Sequence, residues 1–377
     1  MDSDEDIEII EETYVEKSEI KNIKNIYNVS KGTGKIEYDL NGDKILGSCT
    51  LLKLERNSKP FFCIMTNDHV IREAIENEKE ISLKYDNEKE TLSFKLNKEE
   101  RIIKSFMDKN IDIIVIEIIP KDKIKESFFL SPKTNIKEES TINKIIQIIQ
   151  HPNGEDLSLS EGKITEIDIK YPSLFFHEAS TLSGSSGSPI VLENEEEVIA
   201  IHRGSLKDNG KNVGLFIGGV VDILKNYKRK GFYKEYYENG DLKYEGKFLN
   251  DEYNDDNGKY IDKEGYVYQG KFEKGKKNGK FKKIKDGDEI ECEFKDDKIL
   301  DVNEDKPVFT KDGDTGLKFW QNIGMDIFHY LKPLGDDINY ECGCGHVSKS
   351  HTEKRKGVWT CSECPENNNI CKFCGAE

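Results

Sequence analysis

The stretch LSGSSGSPI, residues 182–190, is a glycine-rich turn that leads straight into an apolar segment. Gly184 and Gly187 lie on either side of Ser186, and a backbone without Cβ atoms can fold so that successive N–H groups converge on one point. We interpret Ser186 as a nucleophile. A solvated loop of small residues is the alternative interpretation, and a base and an acid elsewhere in the chain would decide between the two.

Two upstream segments supply a candidate base and a candidate acid. The stretch FFCIMTNDHV, residues 61–70, is predicted as an apolar strand that ends at His69. The stretch IDIIVIEI, residues 111–118, is predicted as a strand in which aliphatic residues surround Asp112. A carboxylate in such surroundings needs a partner, which favours a functional pair. Asp108 is the alternative acid.

The order His69, Asp112, Ser186, with the patterns TNDHV and GxSGxP, resembles the trypsin-like serine peptidases of the chymotrypsin fold over roughly residues 44–226. The resemblance implies a mainly β, two-barrel catalytic domain. In that chemistry His69 takes the proton of Ser186 during attack and returns it to the leaving amine, while Asp112 orients the imidazole. The N–H groups of Gly184 and Ser186 would form the oxyanion hole.

The strand around His202 adds a hypothesis about specificity. The sequence IHRG, residues 201–204, and the GSP after the nucleophile resemble glutamyl endopeptidases, in which a histidine and small hydroxyl residues bind an acidic side chain. By position in that resemblance, the substrate pocket contains Thr181, His202 and Ser205, with Arg203 adding positive potential nearby. The alternative is that His202 only packs within its strand.

Composition excludes several classes of protein. The 377-residue chain has a formal net charge of −16 and no basic stripe, which argues against a nucleic-acid partner. No apolar run reaches the ~20 residues of a transmembrane segment. The acidic start MDSDED, residues 1–6, is unlike a signal peptide. Few cysteines precede the C-terminal segment, so we expect a cytoplasmic protein in which Cys49 and Cys63 are reduced core residues.

The peptidase domain is predicted over residues 31–228. Residues 1–30 are acidic and predicted to be disordered, with a helical stripe of Ile20, Ile23 and Ile26 as the alternative. His151, in a Pro-Gly corner, is assigned a structural role. Short strands separated by polar turns indicate barrels, and a helix closes the domain. The predicted strands cover residues 45–53, 61–65, 81–85, 92–96, 111–118 and 145–150, and the helix covers residues 221–225.

The sequence changes to a repeat from Gly231 onward. The units YEGKF, residues 244–248, and YQGKF, residues 268–272, start 24 residues apart, and a third copy decays to IECEF, residues 290–294. They look like MORN repeats over residues 229–296, in which β-hairpins bury their aromatic residues by stacking on one another. The aromatics are interpreted first as core residues. A protein or lipid contact on the exposed face is what the family resemblance suggests in addition.

A charged linker with an amphipathic helix is predicted over residues 297–335. The helix would begin at Asp314 or Thr315 and end before Pro333, and we expect it to dock on a neighbouring domain, with partner binding as the alternative. Its apolar stripe consists of Leu317, Trp320, Ile323, Ile327 and Leu331.

The last segment, residues 336–377, concentrates metal-ligating residue types. Thiolates and imidazoles suit zinc, and a segment with almost no apolar core needs a metal to fold. The candidate ligands are Cys342, Cys344, His346, His351, Cys361, Cys364, Cys371 and Cys374. The patterns CGH and WTCxxC resemble ZZ-type and UBR-box zinc fingers, although the first pair is Cys-x-Cys. We predict structural zinc, as one or two ions, and no cofactor for catalysis.

Together these patterns predict an intracellular serine endopeptidase that cleaves a protein or peptide substrate through an acyl-enzyme, after acidic residues. The MORN and zinc modules would then recruit or place substrates. The alternative is a non-catalytic scaffold, in which the peptidase domain is silent and those two modules bind proteins or lipid.

Overall fold

The computed structural model describes residues 23–107, 111–206 and 211–301, together with six short strands between residues 317 and 359. The chain divides into two compact units after Ile290. The predicted peptidase domain and most of the predicted repeats therefore lie in the same unit.

The described part of the first unit begins with a helix. Helix α1 (Ile23–Lys31) corrects the disorder predicted for residues 1–30 over its last third, and Ile20 lies outside the described residues. Val29 is fully buried in the core. The Asn28 side chain donates to Glu196 at 3.0 Å, in the turn before a strand of the second barrel. These tertiary contacts stabilise a helix whose own periodicity is weak.

The first sheet has seven strands. They are β1 (Thr33–Leu40), β2 (Asp43–Arg56), β3 (Lys59–Thr66), β4 (Glu80–Tyr85), β5 (Glu90–Lys95), β6 (Ile103–Ser105) and β7 (Ile114–Glu117), and helix α2 (Asp68–Glu76) follows β3. They pair in the order β5-β4-β1-β2-β3-β7-β6. In the described part of the chain the edge strands β5 and β6 do not pair with each other, so the first of the two predicted barrels is an open sheet.

The second sheet closes into a six-stranded barrel in the order β10-β13-β12-β11-β8-β9. Its strands are β8 (Ile145–Gln150), β9 (Ser158–Ile167), β10 (Leu174–His177), β11 (Pro189–Leu192), β12 (Val198–Ser205) and β13 (Asn212–Phe216). Helix α3 (Gly218–Lys225) follows and includes the predicted helix.

The core that matters for the site lies where the two sheets meet. Leu52, Met65 and Val115 of the first sheet join Val191 and Ile201 of the second in one buried cluster. Burying such a side chain stabilises the fold by about 1.5–3 kcal/mol. Because close-packed interiors resist deformation, this cluster fixes the relative position of side chains contributed by the two sheets.

A ribbon of antiparallel strands follows α3. Its strands are β14 (Lys230–Tyr236), β15 (Leu242–Leu249), β16 (Glu252–Tyr253), β17 (Asp255–Ile261), β18 (Val267–Glu273) and β19 (Lys276–Lys285), and β20 (Asp288–Lys295) and β21 (Lys298–Asp301) form a further hairpin. Strands β14, β15, β17, β18 and β19 pair in that order, and β16 pairs with β15.

Buried aromatic rings form the spine of the ribbon. The ring centroids of Tyr244 and Phe272 lie 5.2 Å apart, as do those of Phe272 and Phe281. A Cβ atom on Gly258 would lie 2.5 Å from the Tyr244 hydroxyl, so this repeat glycine leaves room for the ring. Edge-to-face contacts of this kind add about 0.5–1.5 kcal/mol per pair beyond area burial.

Charged groups join the ribbon to the peptidase sheet. The Asp251 carboxylate accepts hydrogen bonds from Arg56 at 2.8 Å, Asn57 at 2.6 Å and Arg229 at 2.8 Å. Tyr233 of β14 packs against the core between the two sheets. The ribbon is thus an integral part of the peptidase unit.

Beyond residue 301 the structure describes only short strands. They are Leu317–Lys318, Tyr330–Pro333, Tyr340–Glu341, Val347–Ser348, Lys354–Arg355 and Val358–Trp359. Leu317 pairs with Leu331 in an antiparallel ladder, so the helix predicted between them is wrong at both ends. The ladder satisfies backbone groups that the helix would otherwise have paired. The middle of the predicted helix lies outside the described residues. None of the described helices has the length and apolarity to cross a bilayer.

Candidate active site

The strand predicted to end at His69 stops earlier. Strand β3 ends at Thr66, and Asn67, with extended backbone angles, is the N-cap of α2. His69 therefore lies in the first turn of a helix, with half of its side chain exposed. The Asn67 side chain donates to the Asp112 carbonyl oxygen at 2.8 Å, which ties this turn to the segment that carries the acid.

Asp112 is buried and bonded to His69 by two groups. Its Oδ2 lies 2.7 Å from His69 Nδ1, and its Oδ1 accepts the His69 backbone N–H at 3.1 Å. Burial acts to raise the pKa of Asp112, but the hydrogen bond and charge of His69 outweigh it and hold the pKa below its usual value. Asp112 is therefore a carboxylate at neutral pH, and Nε2 of His69 is left to exchange a proton.

Ser186 lies in the turn between Gly184 and Gly187, whose φ angles are +87° and +91°. These values fall in the left-handed region that favours glycine, which explains the glycine spacing. The Ser186 hydroxyl donates to the Arg203 carbonyl oxygen at 3.0 Å. Within the described residues no hydrogen bond joins Ser186 Oγ to His69.

The two backbone N–H groups proposed to bind the oxyanion differ from their neighbours in the turn, because they have no acceptor among the described residues. Ser185 N–H donates to Leu182 O, and Gly187 N–H donates to His202 O. By contrast, the N–H groups of Gly184 and Ser186 have no acceptor in the part of the chain that the structure describes. Two N–H groups without acceptors beside one nucleophile are what an oxyanion hole needs.

An open cavity of about 350 Å³ connects these groups. It is lined by His69, Asp112, Ser186, Arg203, Gly204, Ser205 and Val213. The three candidate catalytic residues, drawn from both sheets, thus face the same space.

Arg203 has a contact that sequence reasoning did not anticipate. Its Nε donates to Asp112 Oδ2 at 3.3 Å, the same oxygen that bonds His69. Its side chain is 40% exposed and lines the cavity. The positive charge that was expected near the site therefore lies at the cavity itself. It belongs to Arg203, which also bonds the candidate acid Asp112.

The three predicted pocket residues are separated in the structure. Ser205 lines the cavity, whereas Thr181 and His202 are not among its lining residues. The Thr181 hydroxyl donates to Asn212 Oδ1 at 3.0 Å. His202 is buried, and its Nδ1 lies 3.2 Å from Nε2 of His177, which the sequence reasoning missed. No sequence signal pairs His177 with His202, because β10 and β12 are separated in the barrel by β13.

Burial determines the charge of that histidine pair. Desolvation, followed by the neighbouring His177, lowers the pKa of His202 to about 3. Desolvation lowers the pKa of His177 to about 4. Both imidazoles are therefore neutral at neutral pH, so His202 cannot attract a carboxylate by positive charge.

Three other residues singled out in the sequence, His151, Cys49 and Cys63, do not line this cavity. His151 is buried, and its Nδ1 lies 3.0 Å from the Glu155 carbonyl oxygen. Cys49 and Cys63 are buried free thiols in different core clusters, and burial raises the pKa of both. Asp108 and all eight candidate zinc ligands lie outside the described residues.

Comparison with known proteins finds one family match. Residues 47–201 match the trypsin-like peptidase domain. No curated protein matches the chain in sequence. The chain is similar to a serine endoprotease from Yersinia pestis, with 14% identity over 56% of this chain and 71% of that one and a TM-score of 0.41.

Two further solved structures show the same level of similarity. Deg5 has 19% identity over 55% of this chain and 94% of that one, with a TM-score of 0.41. The active form of the Rv3671c protease from M. tuberculosis has 15% identity over 53% and 83%, with a TM-score of 0.39. The domain match assigns the enzyme class, which is that of the serine-type endopeptidases.

Proposed function

We propose that the chain cleaves peptide bonds with Ser186 as nucleophile, His69 as base and Asp112 as the orienting acid. The observation that carries the proposal is the short His69–Asp112 bond beside Ser186 in one cavity. Two sheets that share no strand supply these groups, so their convergence is a property of the fold.

The chemistry requires one rearrangement. Ser186 Oγ turns from the Arg203 carbonyl toward Nε2 of His69, which takes its proton as Oγ attacks the substrate carbonyl. Asp112 stabilises the imidazolium that forms. The oxyanion is held by the N–H groups of Gly184 and Ser186, each worth about 3 kcal/mol in transition-state stabilisation. His69 gives the Ser186 proton to the amine as the C–N bond breaks, which leaves the acyl-enzyme. Water, activated by His69 as base, then hydrolyses the ester and returns the proton to Ser186.

A fluorophosphonate probe tests this assignment, because it reacts only with an activated serine. We expect labelling of the wild-type chain and none of Ser186→Ala. Ser183→Ala, which changes an exposed serine in the same turn, is the matched control and should label normally. Absence of labelling in folded wild-type protein would favour the non-catalytic scaffold instead.

The substrate class we propose is a peptide with an acidic side chain before the scissile bond. Arg203 carries the argument: its Nε contacts Asp112, and its two terminal amino groups have no partner among the described residues. A guanidinium fork binds a carboxylate through two parallel hydrogen bonds. Ser205, exposed at the same cavity, offers a further hydroxyl. His202 is buried and neutral, so it supplies no charge to the cavity.

Matched peptides that differ only as Glu or Gln at that position test the substrate class. We expect kcat/KM to favour Glu by about 10- to 100-fold, as one lost charged contact costs. Arg203→Gln should remove most of this ratio, whereas Lys170→Gln, on an exposed loop of the same barrel, should keep it. Preference for Lys, Arg or large apolar residues would contradict the proposal.

For the ribbon and the C-terminal segment we propose MORN-type repeats and a structural zinc site. The edge-to-face ring contacts among Tyr244, Phe272 and Phe281 support the first, and the chemistry of the eight cysteines and histidines supports the second. Metal analysis should find at least one zinc per chain, reduced in the double variant Cys361→Ser/Cys364→Ser. Peptidase activity on a short peptide should survive that change; its loss would make the finger part of the catalytic fold.

A further inference from the structure

The carbonyl groups of residues 183–186 in the nucleophile turn all accept hydrogen bonds. Ser183 O accepts the Asn153 N–H at 2.5 Å, and Ser185 O accepts the Ser188 N–H at 3.1 Å. A peptide unit is planar and trans, so fixing its C=O aims the following N–H in the opposite direction. These two bonds therefore aim the N–H groups of Gly184 and Ser186.

One residue of the first sheet holds the next two carbonyl groups, those of Gly184 and Ser186. Ser48 Oγ donates to Gly184 O at 2.8 Å, and Ser48 N–H donates to Ser186 O at 2.9 Å. Ser48 is fully buried on β2. Ser48 therefore bonds the chain on both sides of the Ser185–Ser186 peptide. These bonds restrict rotation of the peptide units that present the oxyanion donors.

Ser48 also connects the two halves of the site. Its carbonyl oxygen accepts the Thr66 hydroxyl at 2.7 Å, and Thr66 is the last residue of β3, just before the turn that carries His69. Its Oγ accepts the His151 N–H at 3.2 Å from the second barrel. A short path of hydrogen bonds thus runs from the strand before His69 through Ser48 to Ser186.

We propose that Ser48 is a positioning residue that holds the nucleophile turn in its oxyanion-binding conformation and sets the separation of Ser186 from His69. The inference rests on the proposed function for its catalytic meaning. Its structural content, a turn held from the opposite sheet, is testable without turnover.

The activity arm of the test compares Ser48→Ala with Thr33→Val. Thr33 lies on the neighbouring strand β1, and its buried hydroxyl donates to the Val29 carbonyl at 3.0 Å, so it matches Ser48 in burial and bonding but does not contact the turn. We expect kcat to fall about 10- to 100-fold in Ser48→Ala with KM changed less than twofold, since a misaimed donor affects only the transition state. Thr33→Val should keep its kcat. Equal kcat values in the two variants would overturn the proposal.

The conformational arm measures amide hydrogen exchange of residues 183–188 by mass spectrometry on the intact chain. Exchange should be at least tenfold faster in Ser48→Ala than in wild type and in Thr33→Val. Unchanged exchange would overturn the proposal, even if the wild type failed to react with the fluorophosphonate, so the two failures are distinguishable. If Ser48→Ala does not fold, Ser48→Cys takes its place, because a thiol is a weaker donor. Wild-type kcat and exchange in Ser48→Cys would count against the role.

Discussion

The two halves of the active site differ in how their polar groups are satisfied. In the first sheet, His69 and Asp112 bond each other at 2.7 Å, and Asn67 fastens the turn between them. In the second barrel, the Ser186 hydroxyl bonds the Arg203 carbonyl at 3.0 Å instead of the base. The bond between His69 and Asp112 is thus already formed, whereas Ser186 does not bond His69 among the described residues. The histidine–acid pair follows from local geometry, whereas the serine–histidine contact has to be made across two sheets.

Removing either side of that contact should have the largest effect. Ser186→Ala and His69→Ala should each lower kcat by about 10⁶-fold, because a nucleophile without its base is as ineffective as no nucleophile. The double variant should lose little more than either single variant. Steady-state turnover of one peptide by all three proteins makes the comparison, and losses that multiply would show that the two residues act independently.

Changing only the bond between His69 and Asp112 should lower kcat less than removing Ser186 or His69. Asp112→Asn keeps the shape of the side chain but favours the wrong tautomer of His69, so we expect kcat to fall by about 10⁴-fold with KM little changed. Circular dichroism should show a native fold. Near-normal turnover would assign the orienting role to another acid, and Asp108→Asn is then the variant to measure.

The elements of this fold could largely be predicted from the sequence, because alternating apolar residues and Gly or Pro turns act over a few positions. The strand predicted over residues 145–150 matches β8. Ser186, His69 and Asp112 could be selected because each has unusual neighbours in the chain. The predicted strand ending at His69 was wrong, because strand β3 ends at Thr66 and a helix begins at Asp68 within an otherwise apolar run.

Contacts between distant segments could not be predicted in this way. Arg203 and Asp112 are 91 residues apart, and His177 and His202 lie on strands that are not neighbours in the barrel. Helix α1 is similar: its stability comes from Val29 entering the core. Such features depend on how elements dock, and docking leaves little trace in local composition.

The buried pair of His177 and His202 contrasts with the half-exposed His69. The folded pKa of His202, about 3, lies below its unfolded value of about 6.5. Between these values the unfolded chain binds more protons, so stability rises with pH and is lost as pH falls. We expect His202 to contribute a loss on the order of 3 kcal/mol in the free energy of unfolding between pH 7 and pH 4. Urea unfolding at both pH values measures it.

The informative variant for that measurement is His177→Phe, which keeps an aromatic ring at position 177 but removes the titratable imidazole. It removes one of the two buried imidazoles and should reduce the loss of stability at pH 4. An equal loss in wild type and variant would mean that other groups dominate the acid sensitivity.

The smallest effect is expected for the preference for Glu over Gln, which should hardly depend on pH. A pocket that gripped a carboxylate with a His202 imidazolium would lose its preference for Glu over Gln as pH rises past about 6.5. In the structure His202 is neutral and buried, and the charge at the cavity belongs to the guanidinium of Arg203. Guanidinium groups cannot be deprotonated in proteins. Asp112, with its lowered pKa, stays charged over this range. The Glu-to-Gln ratio of kcat/KM should therefore change less than twofold between pH 5.5 and 8. A ratio that declines steeply near pH 6.5 would show that substrate binding charges His202, and would return that residue to the recognition of the acidic side chain.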